Sequence, residues 1–297
     1  MAFGPRIALV TCRGVLKDPE WDQDLPILLE AVECAGAKPV VVCWDDPEVN
    51  WAGFDLVAIR SAWDYFWRVE EFLRWAEEVA AVTALANPVD VLRWNVDKRY
   101  LADLFTAGVP VVETRYLAPG STVDLPGEGE YVVKPTVGAG ARYAARYRPE
   151  GRGTAVRQLV RMHAEGMTAM VQPYMRSIDT KGERALHFTG GRFLHADRKN
   201  AVLAPGFPYD EKKVPHPELH PWEPTAGELA VAVRALAAVP GSEELLYGRV
   251  DLVDGDDGEP RVMELELVEP HLFLYLHPAS LPVFAEAIVK TAVRTAR

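Results

Sequence analysis

The sequence predicts an α/β protein built from more than one lobe. Three observations carry this. Apolar runs of strand length alternate with helical stretches through the first third. A strand in the middle third ends in a lysine and runs into a glycine loop, "YVVKPTVGAGAR". The last third pairs strand-like runs across short turns and gathers Asp and Glu on two of them. A chain of 297 residues is also too long for one simple core and suits two or three packed lobes.

Taken in order, "RIALVTC" reads as a short buried strand, and "LPILLEAVECAG" has helical periodicity with Gly36 as its stop. "KPVVVCW" and "DLVAIRS" are two further apolar strands. Strands alternating with helices imply a parallel sheet covered by helices. Ligands of such sheets sit at the carboxyl ends of the strands, where Thr11, Cys12 and Arg13 fall, together with "RSAWDY", residues 60–65. The stretch from Ala86 to Thr114 reads as a junction. Pro88 is expected to break the preceding helix, a short helix to carry Asp97 and Lys98, Gly108 to end it and Pro110 to open a strand. The expected domains are 1–94, an N-terminal parallel-sheet domain; 95–174, a central lobe with the glycine loop; and 175–297, a C-terminal lobe. In the last lobe Gly190 and Gly191 turn one hairpin and "DGDDGE" another. The Pro-rich stretch 204–225 reads as a long surface loop, and "LPVFAEAIVKTAVR" as a closing helix.

Composition narrows the function. Hydrophobic residues at 49% and charged residues at 25% suit a water-soluble globular protein. A formal net charge of −11 argues against nucleic acid or an anionic membrane surface as partner. Cys12, Cys34 and Cys43 form no CxxC pair and read as core residues. Arg6 interrupts the opening apolar stretch, so no signal peptide is expected, and no apolar run is long enough to span a bilayer. A cytoplasmic location is the expectation.

Two constellations carry chemistry. Lys134 ends a strand beside Gly138 and Gly140, and glycines let backbone N–H groups approach phosphate oxygens while the lysine adds a point charge. Neither a P-loop nor a complete dinucleotide fingerprint is present, so by itself this is as much a turn after a core strand as a site. Asp251 lies on one late strand and Glu264 and Glu266 on the next, where alternation places both glutamates on one face. Three converging carboxylates repel one another unless Mg²⁺ and ATP phosphates intervene. The plain alternative is a solvated acidic face, against which Met263, Leu265, Leu267 and Val268 leave little polar surface.

The order Lys98, Lys134 with its glycine loop, "MVQPYM", "GER", then Asp251 and Glu264-x-Glu266 resembles the ATP-grasp superfamily. Its carboxylate–amine ligases, such as glutathione synthetase and D-alanine–D-alanine ligase, are the nearest in pattern. The resemblance runs from about Val89 onward, and the first third fits the sheet domain that precedes it. It implies an ATP-grasp fold with two α+β lobes clasping ATP. It further implies Lys98 and Lys134 on the phosphates, residues 138–141 as a loop over them, and Gln172, Tyr174 and Met175 in the adenine slot. Asp179 or Glu183 would take the ribose. Arg184, Lys199 and Arg249 would face the charge of an acyl phosphate. Asp251, Glu264 and Glu266 would hold two Mg²⁺ ions, replaceable by Mn²⁺. Glu266 departs from the Asn common in the family. Within the superfamily, "RSAWDY" and "ELELVEPHLFL" resemble the group that includes the O-ureido-serine cyclo-ligase of cycloserine biosynthesis. That match implies Arg60, Asp64, Tyr65, Glu269 and His271 around a small amino-acid-like substrate; the plain alternative for Asp64 is a local helix cap. Related enzymes imply a homodimer.

The activity expected is ATP-dependent C–N bond formation through an acyl phosphate, within one molecule or between an acid and an amine. A nucleotide sensor without turnover would have lost acidic positions or lysines, and none is lost here. A dehydrogenase lacks its glycine fingerprint after "RIALVTC". His216 and His220 are flanked by prolines and make no one-face zinc helix. His187 and His195 read as packing or hydrogen-bonding residues, and Trp21, Trp44 and Trp51 as core or lobe-interface residues.

Overall fold

The computed structural model describes residues 4–206, 209 and 218–295. The first third forms β1 (Arg6–Thr11), α1 (Arg13–Lys17), α2 (Asp24–Cys34), β2 (Lys38–Cys43), β3 (Leu56–Ser61), α3 (Val69–Ala80) and β4 (Leu85–Ala86). These strands make a parallel sheet in the order β2-β1-β3-β4. Both inner strands are buried nearly throughout, as continuous apolar runs require. Trp44, Phe72 and Trp75 pack edge to face beside it. α3 ends at Ala80, so Pro88 does not break it; Pro88 precedes α4 (Val89–Asn95). Asp97 and Lys98 occupy the turn between α4 and α5 (Tyr100–Thr106) rather than a helix.

The middle lobe contains β5 (Arg115–Leu117), β6 (Tyr131–Pro135), β7 (Ala145–Tyr147), α6 (Arg152–Ala164) and β8 (Ala169–Pro173), with an antiparallel sheet ordered β5-β8-β6-β7. Residues after Pro110 join no strand of this sheet before Arg115; Val111 instead bridges to Val262 in the last lobe. Along β6, Tyr131 and Val133 enter the core under α6, which turns Val132 and Lys134 to the opposite face.

The last lobe follows with α7 (Ile178–Lys181), β9 (Glu183–Thr189), β10 (Arg192–Lys199), β11 (Leu219–Pro221), α8 (Ala226–Ala237), β12 (Tyr247–Asp254), β13 (Pro260–Glu266) and α9 (Ser280–Thr295). Its antiparallel sheet is ordered β11-β10-β9-β12-β13. Leu186, Val250, Leu252 and Leu265 bury one face against α8. A complete capping box at Thr225 and Glu228 starts α8. α9 does not stay with this lobe. It packs beside α2 and against β1 and β3, where Phe284, Ala285 and Ile288 join the first core.

Two smaller expectations change. Cys34 is exposed rather than buried, and Trp21, at 56% exposure, belongs to no core. The Pro-rich stretch supplies β11 at its end; residues 207, 208 and 210–217, with His216, lie outside the described residues.

Candidate active site

A cleft holding about 1030 Å³ of free space, open solvent included, lies between the middle and last sheets. Strand alternation decides what lines it. Lys134 of β6 and Gln172 of β8 face it from one side; Glu183, Lys199, Arg249, Asp251, Glu264 and Glu266 face it from the other. Lys98, Gly138, Gly140, Tyr174 and Met175 complete the set of expected residues found there. Gln172 is fixed by donating from Nε2 to Thr114 Oγ1 at 2.9 Å.

Its electrostatics are those of a closed ionic network. Register places Asp251 opposite Glu264 and Arg249 opposite Glu266. Arg249 holds both oxygens of Asp251 at 2.9 Å and also pairs with Glu266. Lys199 donates to Asp251 at 2.5 Å and pairs with Glu183, its neighbour across β9 and β10. Lys98 donates to the Gly138 carbonyl at 2.7 Å and lies 3.0 Å from Glu264, while Lys134 lies 3.9 Å from the same carboxylate. Burial opposes the charge on Asp251, yet Arg249 and Lys199 more than offset it and hold the carboxyl well below the usual range. Burial pushes Glu266 up to about 7 despite Arg249. It likewise lowers Lys134, whereas at Lys98 the partner Glu264 outweighs burial and raises the pKa.

Three expected residues point elsewhere. Arg184 alternates with Glu183, so it projects through the other face of β9; there, 1% exposed, it donates to Glu228 at 2.8 Å and pairs with Asp254. Asp179 accepts from Tyr174 Oη at 2.6 Å and pairs with Arg146 at 3.1 Å outside the cleft lining, so of the two ribose candidates only Glu183 lines it. Asp64 makes no side-chain cap; it accepts from Trp44 Nε1 at 2.7 Å and from Arg68 at 3.0 Å.

The remaining substrate candidates converge on a loop, residues 269–277, that side chains pin along its length. Trp63 Nε1 donates to the Glu269 carbonyl at 3.1 Å, Arg60 to that of Pro270 at 3.0 Å, Arg249 to that of His271 at 3.1 Å and His195 to that of Leu272 at 2.7 Å. Asp24 accepts the Tyr275 N–H at 3.0 Å, and Asp197 pairs with His277 at 2.9 Å. Arg60 is therefore a buried loop anchor, seated over the Tyr247 and Phe284 rings. Tyr65 is buried, and burial raises the pKa of its hydroxyl, with the charges of Glu269, Glu266 and Glu264 adding to the effect.

Sequence reasoning missed Arg142. It lines the cleft directly after the glycine loop, and its guanidinium lies 3.6 Å from the centre of the Trp67 ring. A cation closing "GAGAR" was the available signal. Asp24 carried no signal beyond that of an acidic residue in the first turn of α2.

The donor set suits a hard divalent cation: Glu264 and Glu266 present oxygens from one strand, with Asp251 across from them. The cations around them suit a polyphosphate. The D-cycloserine synthetase DcsG N-terminal domain family matches residues 7–87. The cycloserine biosynthesis protein DcsG of Streptomyces lavendulae is 38% identical over 282 residues, 91% of this chain and 94% of that protein. The crystal structure of D-cycloserine synthetase DcsG superposes with a TM-score of 0.88 at 38% identity, covering 97% of this chain and 99% of that one. The fold is also that of a RimK domain ATP-grasp protein from Sphaerobacter thermophilus (TM-score 0.64, 18% identity, 96% and 98% covered). D-alanine–D-alanine ligase from Bacillus anthracis with ATP shares it as well (0.67, 14%, 98% and 98%).

Proposed function

The chain belongs to the D-cycloserine synthetase family, an ATP-grasp ligase group, and from that premise we propose that it closes a ring within one small molecule, O-ureido-D-serine, to give D-cycloserine. The carboxylate of the substrate attacks the γ-phosphorus of ATP and ADP leaves; the ureido nitrogen bonded to oxygen in the same molecule then displaces phosphate from the acyl phosphate, and water removes the carbamoyl group from the closed ring as CO₂ and ammonia. Lys98 and Lys134 draw the triphosphate in, exchanging Glu264 for phosphate oxygens. Lys199 and Arg249 face the charge that develops on the transferring group. Gln172, Tyr174 and Met175 line the base, and Glu183 the ribose. Asp251, Glu264 and Glu266 would hold two Mg²⁺ ions, or Mn²⁺ in their place, which supply Lewis-acid neutralisation of the phosphates. Tyr65, Glu269 and His271 face the substrate. An intramolecular nitrogen needs no second substrate pocket, and good orientation alone is worth about 7–11 kcal/mol of barrier.

The observation that carries this reading is the single ionic network joining two phosphate lysines to a three-carboxylate face in one cleft. Among the described residues no helix is long and apolar enough to cross a membrane, in keeping with a cytoplasmic enzyme on a small molecule. A homodimer is the proposed assembly, readable by light scattering. The deciding assay supplies ATP, Mg²⁺ and one amino-acid derivative at a time. ADP, phosphate and a cyclised product from O-ureido-D-serine alone are expected. ADP release that requires a pair of amino acids would replace the cyclase with an intermolecular ligase, and stoichiometric AMP would remove the acyl phosphate route.

A further inference from the structure

A ring nitrogen that attacks an acyl phosphate must shed a proton, and none of the cleft cations can take it. The pinned loop places an imidazole and a carboxylate together beside the ionic network. His271 is part-exposed, its backbone carbonyl bound by the Arg249 that holds Asp251 and Glu266. Its ring centre lies 5.2 Å from that of Trp63 and 4.4 Å from that of Phe273, so apolar walls flank it. Behind it sits Asp24, 3% exposed. One oxygen of Asp24 accepts the Tyr275 N–H; the other has no hydrogen-bond partner and lies 3.7 Å from His271 Nε2. Asp22 spends one oxygen on the N–H groups of Asp24 and Leu25 and lies within 4.8 Å of the pair, farther from the imidazole than Asp24.

Resting on the ring-closing reading above, we propose that His271 is the proton acceptor for the attacking nitrogen and that Asp24 is the positioning residue that orients and supports it. With Nε2 turned to Asp24, Nδ1 takes the proton. The C–N bond forms as the N–H bond breaks. The acyl C–O bond breaks with its electron pair leaving on phosphate, and the proton ends on the imidazole. The charged and titratable groups packed about the pair are Asp22 from the segment before α2, Arg60 from β3, Arg249 from β12, and Glu269 and Tyr275 from the loop itself. Asp24 is thus the carboxylate closest to the imidazole among the contacts the structure records for it.

The test separates the two half-reactions in the full-length enzyme with ATP, Mg²⁺ and O-ureido-D-serine. His271→Gln is expected to keep forming acyl phosphate, trapped as the hydroxamate by hydroxylamine, while cyclised product per ADP falls roughly tenfold or more. Asp24→Asn removes a negative neighbour, so the acidic limb of the pH–rate profile should move to lower pH with a smaller loss of coupling. His271→Gln with wild-type coupling and an unmoved pH profile would overturn the proposal, as would loss of hydroxamate together with ADP release. A wild-type enzyme that releases no ADP with any single derivative is a different result: it removes the ring-closing function itself and this proposal with it.

Discussion

Glu264→Gln tests whether the carboxylate face and the phosphate lysines form one exchangeable network. Glu264 stands 3.0 Å from the Lys98 ammonium and 3.9 Å from that of Lys134, with 22% of its side chain exposed. At an effective dielectric of about 20, charges so spaced attract by roughly 5 and roughly 4 kcal/mol before desolvation. Partial solvation and relaxation of the lysines reduce the net loss to about 1–3 kcal/mol. That corresponds to a melting temperature lower by roughly 2–5 °C for a chain of this size. Saturating ATP without metal should close most of this gap, because phosphate oxygens replace the lost carboxylate at both lysines. Turnover with Mg·ATP should fall by roughly two to three orders of magnitude and recover in part at high Mg²⁺ or with Mn²⁺, since a weakened site is not an erased one. Thermal unfolding with and without ATP, and a coupled ADP assay across a Mg²⁺ titration, read both effects. A variant with unchanged melting temperature and undiminished turnover would refute the network; equal wild-type activity in EDTA and in Mg²⁺ would refute the metal.

Lys134→Met should abolish turnover while the fold survives, because burial already disfavours this ammonium; wild-type ADP release would remove the lysine from the site. Arg184→Met should cost about 2–4 kcal/mol in urea unfolding by taking the guanidinium from two buried carboxylates, Glu228 and Asp254, which keep Trp222, Thr225 and Lys181 as partners, while the kcat of the folded fraction stays near wild type; a selective loss of kcat would instead place Arg184 in catalysis. Asp24→Asn should stabilise the protein at pH 8 and leave it unchanged at pH 4. Burial, with Asp22 adding, raises this carboxyl from 3.8 to about 7 in the folded chain, so ionisation opposes folding: the penalty is absent below about pH 4 and complete above about 7. The shift bounds the gain at roughly 4 kcal/mol, and equal stability at pH 8 would refute it.

The sheet elements were legible because their faces are written in alternation. "YVVKP" sends Lys134 one way and Val133 the other, and the same rule aligned Glu264 with Glu266. Arg184 shows where reading by proximity fails: it neighbours Glu183 in sequence and lies across the sheet from it. Arg60 and Asp64 failed for another reason. Their partners, the Pro270 carbonyl and the Trp44 indole, are set by how distant segments pack, which no local pattern encodes. Lys98 was found but misplaced, since a turn between two short helices leaves no periodicity to read. Asp24 left no trace because its meaning depends on a loop some 250 residues away.

Helix α9 lies on the first sheet, and this has a consequence for synthesis. At roughly 5–20 residues per second, the ribosome needs on the order of 10–40 s to travel from β3 to α9. Throughout that interval β1 and β3 lack the part of their apolar cover that Phe284, Ala285, Ile288 and Ala292 will supply. The sheet made first is therefore finished last, after both nucleotide lobes have emerged. A nascent chain stalled before residue 280 would expose a sticky, half-roofed sheet to chaperones and proteases, and quality control at this stage would be reading the same helix that completes the enzyme.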